Sequence, residues 1–190
     1  MGTRHLIAVM VDDEYRVAQY GQWDGYPDGQ GVAVLNFLSD KSKTDKLLTS
    51  LKSVRFLDSK GKDKEFIDSY NKNCPEWSSD PDNRTQSQID WFSNYTDRSL
   101  GAKILDKICD SKDKEILLKN GISFAGDSLF CEYAYVIDFG KGVFEVFKGF
   151  NNSKIKEGRF ISGDKSLDIT DGYEPVSIVK SYDLNSLPSE

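Results

Sequence analysis

Histidine is the scarcest informative residue in this 190-residue chain: there is one, His5. Any zinc site built on two histidines is thereby excluded. A Ser-His-Asp or Cys-His mechanism would have to run through His5 alone. Cysteine is nearly as sparse. Cys74, Cys109 and Cys131 are scattered and odd in number, unlike a disulfide framework or a CxxC-type zinc cluster. That usage suits a reducing compartment, so the sequons at Asn83, Asn94 and Asn151 read as coincidence. No apolar run approaches the roughly 20 residues that span a bilayer, and no basic-then-apolar leader opens the chain. Leu6 stands where a myristoylation signal wants Ser or Thr. The expectation is a cytoplasmic protein with no membrane association. Phosphate-loop, HExxH and GxSxG patterns are missing, and no motif specifies a cofactor or a metal.

What is present describes a folded domain. Hydrophobic residues make up 38%, charged residues 29% and aromatics 12%, too many rings for a disordered acidic segment. With 31 acidic and 25 basic side chains the formal charge is -6, which argues against general nucleic-acid binding. An oxygen-only Mg²⁺ or Ca²⁺ site stays open in principle, because carboxylates are plentiful.

Thr3 to Val11 is apolar on both pleat faces and predicts a strand that is central or covered on each side. Asp12-Asp13-Glu14 predicts a polar turn, and Tyr15 to Gln22 the returning strand of an antiparallel hairpin. Trp23 to Gly31 holds three glycines and a proline and cannot be regular structure. Helical spacing follows from about Gly31 to Leu38, and again from Thr44 through Leu47, Leu48, Leu51 and Val54. Further expectations are a charged turn at 59–64, a short helix at 65–72, an irregular loop at 74–84 and helices at 85–95 and 100–109. Glu115 to Leu118 reads as a short strand or helix end. Leu129 to Phe139, the turn Gly140-Lys141-Gly142 and Val143 to Phe147 predict a second hairpin, with a further strand over 175–182. The sum is an α+β domain with a mainly antiparallel sheet: N-terminal hairpin, helical middle, then C-terminal hairpin plus strand. One domain is expected over 1–184, with a loose tail at 185–190.

Chemistry concentrates at the N-terminal hairpin. If it pairs across Asp12-Asp13-Glu14, its open ends bring Arg4 and His5 near Gln22, Trp23 and Asp24. Cation, imidazole, amide, indole and carboxylate would then share one end of the sheet, beside glycines that admit close backbone approach. Two readings stay open. In one, Arg4, Gln19, Tyr20, Gln22, Trp23, Gly25, Tyr26 and Gln30 bind a small polar ligand, with His5 and Asp24 available as an acid-base pair. In the other, Trp23 and Tyr26 roof the core, Arg4 locks to Asp24, His5 is a satisfied structural histidine and the glycines serve turns. A second candidate segment, Gly121 to Ser128, could bring Ser123, Asp127 or Ser128 beside Glu132 and Tyr133, although a connecting loop is the simpler reading. The loop from Trp77 to Arg84 invites the same pair of readings. Cys131 reads as buried and inert.

The opening Met-Gly-Thr-Arg-His-Leu-Ile with Ala-Gln-Tyr-Gly-Gln-Trp-Asp-Gly-Tyr-Pro-Asp-Gly-Gln-Gly resembles a family of uncharacterised phage, bacterial and fungal proteins. The resemblance covers about the first 35 residues. It implies that Arg4, His5, Gln19, Tyr20, Gln22, Trp23, Asp24, Gly25, Tyr26, Gly29 and Gln30 form the family motif, and it supplies no mechanism. A phage-encoded chain would work in the host cytoplasm. A weaker likeness is to the N-terminal-nucleophile hydrolases, which also open on a strand and hairpin with the catalytic centre at the hairpin's end. Their nucleophile is a Cys, Ser or Thr whose own amino group is the base. Here Gly2 follows Met1, and Thr3 would need a further cleavage, so that likeness bears on the fold.

Three functions follow as expectations. The first is a binding protein for a small polar, nucleotide-like or phosphorylated ligand: Arg4 meets an anionic group, Trp23 or Tyr26 stacks on a ring, and Gln19 or Gln22 supplies amide bonds. The second is a hydrolase using His5 and Asp24. The third is a protein-interaction module with Trp23, Trp77 and Trp91 in one exposed patch.

Overall fold

The structure is a computed structural model and describes residues 2–58, 60–65, 98–111 and 115–188. Two strands open it, β1 (His5–Val11) and β2 (Glu14–Gly21). One wide helical turn, Pro27–Gly31, leads into α1 (Val32–Ser39) and α2 (Lys41–Ser50). A short strand β3 (Val54–Phe56) precedes α3 (Lys103–Cys109) and β4 (Ile116–Leu118). The chain ends with β5 (Tyr133–Asp138), β6 (Val143–Lys148) and β7 (Ser177–Asp183).

The main sheet is five-stranded in the order β2-β1-β5-β6-β7, and β3 and β4 form a separate parallel pair. Every pairing in the main sheet is antiparallel except β1 with β5, which run parallel with His5 opposite Tyr133 and Ile7 opposite Tyr135. The α+β class and the mainly antiparallel sheet expected from the sequence are therefore present, with one parallel pair at the centre.

Alternation along β1 explains its unbroken apolar run. Ile7 and Val9 join one cluster with Val34 and Phe37 of α1, Leu47 of α2 and Ile104, Leu105 and Ile108 of α3. Leu6, Ala8 and Met10 join another with Ala125, Phe160, Leu167 and Val176. Helices cover the first face, and a short 3₁₀ helix (Ile122–Gly126) with irregular chain from 150–176 covers the second. A strand buried on both faces is apolar at nearly every position, and in β1 only His5 at its start departs from this.

The hairpin tip carries a conformational cost. Asp12 and Asp13 both sit in the left-handed region, with φ of 52° and 61°. A two-residue turn of this hand matches the strand twist, and Asp tolerates it less well than Gly. Just beyond, Val9 faces Val17 and Met10 faces Tyr15, so Arg16 is left over as a bulge.

Local chemistry moves several boundaries. Asp40 ends α1 and caps α2, its Oδ1 accepting the Ser42 and Lys43 N–H groups at 3.0 and 3.2 Å. The second helix therefore starts at Lys41, not Thr44. It also stops before Val54, which is β-structured and pairs with Ile116. The strand expected from Leu129 begins only at Tyr133, because Ser128 to Phe130 turn. Within the expected tail, Ser186 N–H donates to Asp183 O at 3.0 Å and Leu187 packs against the core. The expectations over 66–97, including Cys74, Trp77 and Trp91, lie outside the described residues.

The second face is fastened by buried charge. Arg159 Nη2 donates to Asp138 Oδ2 at 2.8 Å and its Nε to Glu145 Oε2 at 2.6 Å, and its guanidinium also touches Met10 Sδ. Side-chain exposure is 6% for Arg159 and 0% for Asp138. Burial alone would raise the Asp138 carboxyl, but bonds from Arg159 and the Lys141 N–H hold it below its usual range.

Two stability predictions follow from these contacts. Arg159→Ala strands Asp138 and is expected to cost about 3–5 kcal/mol by urea denaturation at pH 7. Because the folded Asp138 pKa is lowered, the network contributes fully above about pH 4. The gap between parent and variant should close as pH falls through that range. Replacing Asp12-Asp13 by Asn-Gly should instead stabilise by about 0.5–1 kcal/mol, read as a higher thermal midpoint.

Candidate functional site

The sequence places its unusual chemistry where β1 and β2 begin and end, and strand alternation divides it between two faces. Arg4 and Leu6 belong to the second face, whereas His5 and Ile7 belong to the helix-covered face.

His5 is 1% exposed. It lies opposite Gly21 on β2, and a Cβ on Gly21 would collide with the imidazole edge. A Cβ on Gly25 would come within 2.9 Å of His5 Cβ and Nδ1. The imidazole is thus held between two glycines, which explains both. Nδ1 lies 3.5 Å from the Thr3 carbonyl, an arrangement that calls for a proton on Nδ1. Nε2 is then an acceptor, and it finds no hydrogen-bond partner among the described residues. Desolvation outweighs the Thr3 carbonyl and the Asp24 charge and lowers the His5 pKa to about 4.

Asp24 stands apart from that ring. It is exposed, with φ of 59°, and its carbonyl accepts the Gln30 N–H at 3.0 Å. A Cβ on Gly29 would run into the Asp24 carboxyl and carbonyl, so Gly29 is required by close approach. No hydrogen bond joins His5 to Asp24, and Arg4 does not lock to Asp24 either.

Arg4 pairs with Glu132 instead. Its backbone N–H donates to Glu132 Oε1 at 3.0 Å, and the Glu132 N–H returns a bond to the Arg4 carbonyl at 3.1 Å. The guanidinium is less fully engaged. Nε lies 3.8 Å from Glu132 Oε1, too far for a hydrogen bond, and is buried without a partner among the described residues. Its Cζ lies over Phe130, 4.6 Å from the ring centroid.

The remaining selected residues divide between rim and scaffold. Trp23 is 48% exposed and rests against Gly2, where no Cβ would fit; Tyr26 is 49% exposed and tilts against Tyr133 at 6.0 Å. Gly25 is scaffold: its N–H donates to Thr3 O, and its carbonyl accepts the Tyr135 hydroxyl at 2.7 Å. Gln30 is scaffold too, its Oε1 accepting the Ala102 N–H at 2.7 Å just ahead of α3. Gln19 is 6% exposed and its amide donates to the Tyr20 carbonyl, while Tyr20 meets Phe124 edge-on at 5.1 Å. The Gln22 N–H donates to Arg98 O at 2.9 Å.

The second candidate segment is built into the fold. Ser123 Oγ donates to Asp168 at 2.9 Å, Thr170 donates to Asp127, and fully buried Ser128 accepts the Asn151 N–H at 3.1 Å. Cys131 is fully buried, and burial pushes its thiol well above the ordinary range. Glu132, Phe130 and Tyr135 are the participants that motif reading missed at the hairpin end. Nothing local signals them, because they reach it through the β1–β5 pairing, 128 residues from Arg4 in the case of Glu132.

Elsewhere, a groove of about 630 Å³ runs between α1, α2 and the C-terminal residues, lined by Leu38, Leu48, Phe139, Leu184 and Leu187 among others. None of the sequence-selected residues lines it. Among the described residues, no group of three or more His, Cys, Asp or Glu is placed to hold a metal ion, and no helix is long and apolar enough to cross a membrane.

The His5 environment yields a direct expectation. Its folded pKa lies below the unfolded value of about 6.5, so the unfolded chain binds the extra proton first. Stability contributed by neutral His5 is complete above about pH 6.5 and falls as pH drops toward 4, by about 3 kcal/mol in all. The imidazole resonance of this single histidine, followed by NMR, should show no midpoint between pH 5 and 8.

Three comparisons frame these residues: no protein-family model matches the chain, no curated protein matches it, and no solved structure matches it.

Proposed function

We propose that this protein binds a small polar, planar ligand at the open end of its N-terminal hairpin, with Arg4 as the anchor. The observation that carries the reading is the Arg4 guanidinium, placed over Phe130 and beside Glu132, 31% exposed at the side chain, and without a hydrogen bond among the described residues. A partly exposed guanidinium with its donors unpaired can take up an acceptor from a ligand through charge-assisted hydrogen bonds. Phe130, 41% exposed beside Arg4, offers a face for stacking, whereas half-exposed Trp23 and Tyr26 stand at the same end of the sheet with Tyr26 on the helix-covered face.

The environment of His5 supports binding over hydrolysis. A buried imidazole with a pKa near 4 is a poor general acid or base at neutral pH, and Asp24 does not orient it. A protein-interaction module is the second reading, favoured by the exposure of Trp23, Tyr26 and Phe130, since such rings dominate interface energetics.

Native mass spectrometry of the full chain after incubation with cell extract separates these readings. The binding reading expects a retained small-molecule mass that is lost or weakened at least tenfold in Arg4→Ala. A retained mass indifferent to Arg4→Ala, or an unliganded chain, overturns it. An added protein mass sensitive to Trp23→Ala would favour the interaction module.

A further inference from the structure

Arg4 does not stand alone as a positive charge. The Glu132 carboxylate sits 3.8 Å from its Nε, and the two side chains are 31% and 18% exposed, so both face the same partly open end of the sheet. Glu132 Oε1 is occupied by the Arg4 N–H, whereas Oε2 accepts no hydrogen bond among the described residues. The guanidinium likewise makes none. Side by side, these groups offer a row of donors next to a free acceptor, with the Phe130 ring, 41% exposed, beneath the guanidinium.

That pairing selects among polar ligands. A phosphate dianion gains the Arg4 donors but meets the Glu132 carboxylate at close range, and the pair carries no net charge to attract it. A neutral heteroaromatic ring with a carbonyl acceptor beside N–H donors satisfies both groups at once. Arginine donating to a ring carbonyl and a carboxylate accepting from ring or exocyclic N–H are the pairings such edges favour. A flat ring held edge-on by Arg4 would also extend over the half-exposed Phe130 ring.

We infer that the ligand is recognised by a lactam–amine edge of the guanine type, read jointly by Arg4 and Glu132, and not by a phosphate. The inference rests on the binding reading above and narrows its ligand class.

Isothermal titration calorimetry of the full chain with guanosine, adenosine and inorganic phosphate tests it on the parent, Glu132→Gln and Arg4→Ala. Glu132→Gln keeps an oxygen for the Arg4 N–H, so the strand contact survives, and thermal melting checks that the fold is intact. The expected result is guanosine binding at least tenfold tighter than adenosine, weakened at least tenfold in Glu132→Gln, with no phosphate binding. No guanosine binding to the parent, or guanosine binding indifferent to Glu132→Gln, overturns the inference. Phosphate binding that tightens in Glu132→Gln also overturns it while leaving Arg4 as an anion anchor. The native mass experiment independently decides whether an Arg4-dependent ligand exists at all.

Discussion

The Tyr135 hydroxyl donates to the carbonyl of Gly25, and much of the molecule is arranged around that bond. Tyr135 is fully buried on β5, beside β1, and faces the helices. Burial pushes its phenol far above the ordinary range, so it stays protonated and able to donate. Gly25 is buried in the glycine-rich turn, where an unpaired carbonyl would cost about 1–3 kcal/mol. The bond thereby ties the loop after β2 to the middle of the sheet. It also fixes what the loop carries: Asp24 over Gly29, Gln30 reaching Ala102, and Gly31 close enough that a Cβ would stand 3.1 Å from the Tyr135 ring.

An aromatic row extends the same logic across the sheet. Tyr26, Tyr133, Tyr135, Phe144 and Tyr182 follow one another at centroid spacings of 6.0 to 6.5 Å. Offset contacts of this kind add roughly 0.5–1.5 kcal/mol per pair beyond burial. The row runs from the exposed rim at Tyr26 through the buried centre to β7. The opposite face is held differently, by the Arg159 ion network and by hydroxyl and amide ties to the irregular chain between β6 and β7. One face is secured by rings and aliphatic packing, the other by a second apolar cluster together with directed polar contacts that let irregular chain cover a sheet.

Glycine in the N-terminal motif reflects packing more than ligand access. Gly2, Gly21, Gly25 and Gly29 each lie where a Cβ would meet Trp23, His5 or Asp24. The motif residues therefore interlock: His5 between two glycines, Trp23 on a third and Asp24 on a fourth. This accounts for much of the unusual composition of the first 31 residues without a ligand. The Arg4 guanidinium beside Glu132 is what the interlocking does not explain, and the functional proposal rests there.

Elements set by local pattern were legible in the sequence. The all-apolar run of β1, the turn at Asp12-Asp13, the spacing of Leu47 and Leu51 and the Gly140 to Gly142 turn depend on near neighbours. Period and turn chemistry therefore suffice to find them. The α+β class followed from their order. What sits beside what was a different matter. The parallel pairing of β1 with β5 joins residues 128 apart, and only that register sets Glu132 against Arg4 and Tyr135 under Gly25. The neutrality of His5 is likewise a tertiary outcome, because desolvation comes from Gly21, Gly25 and the packing around them and not from its own neighbours in sequence. Composition determined that a buried two-faced sheet would form and which residue types would gather at its end. Tertiary pairing decided which of them met, since strand alternation sends adjacent Arg4 and His5 to opposite faces and hands each a partner from far along the chain.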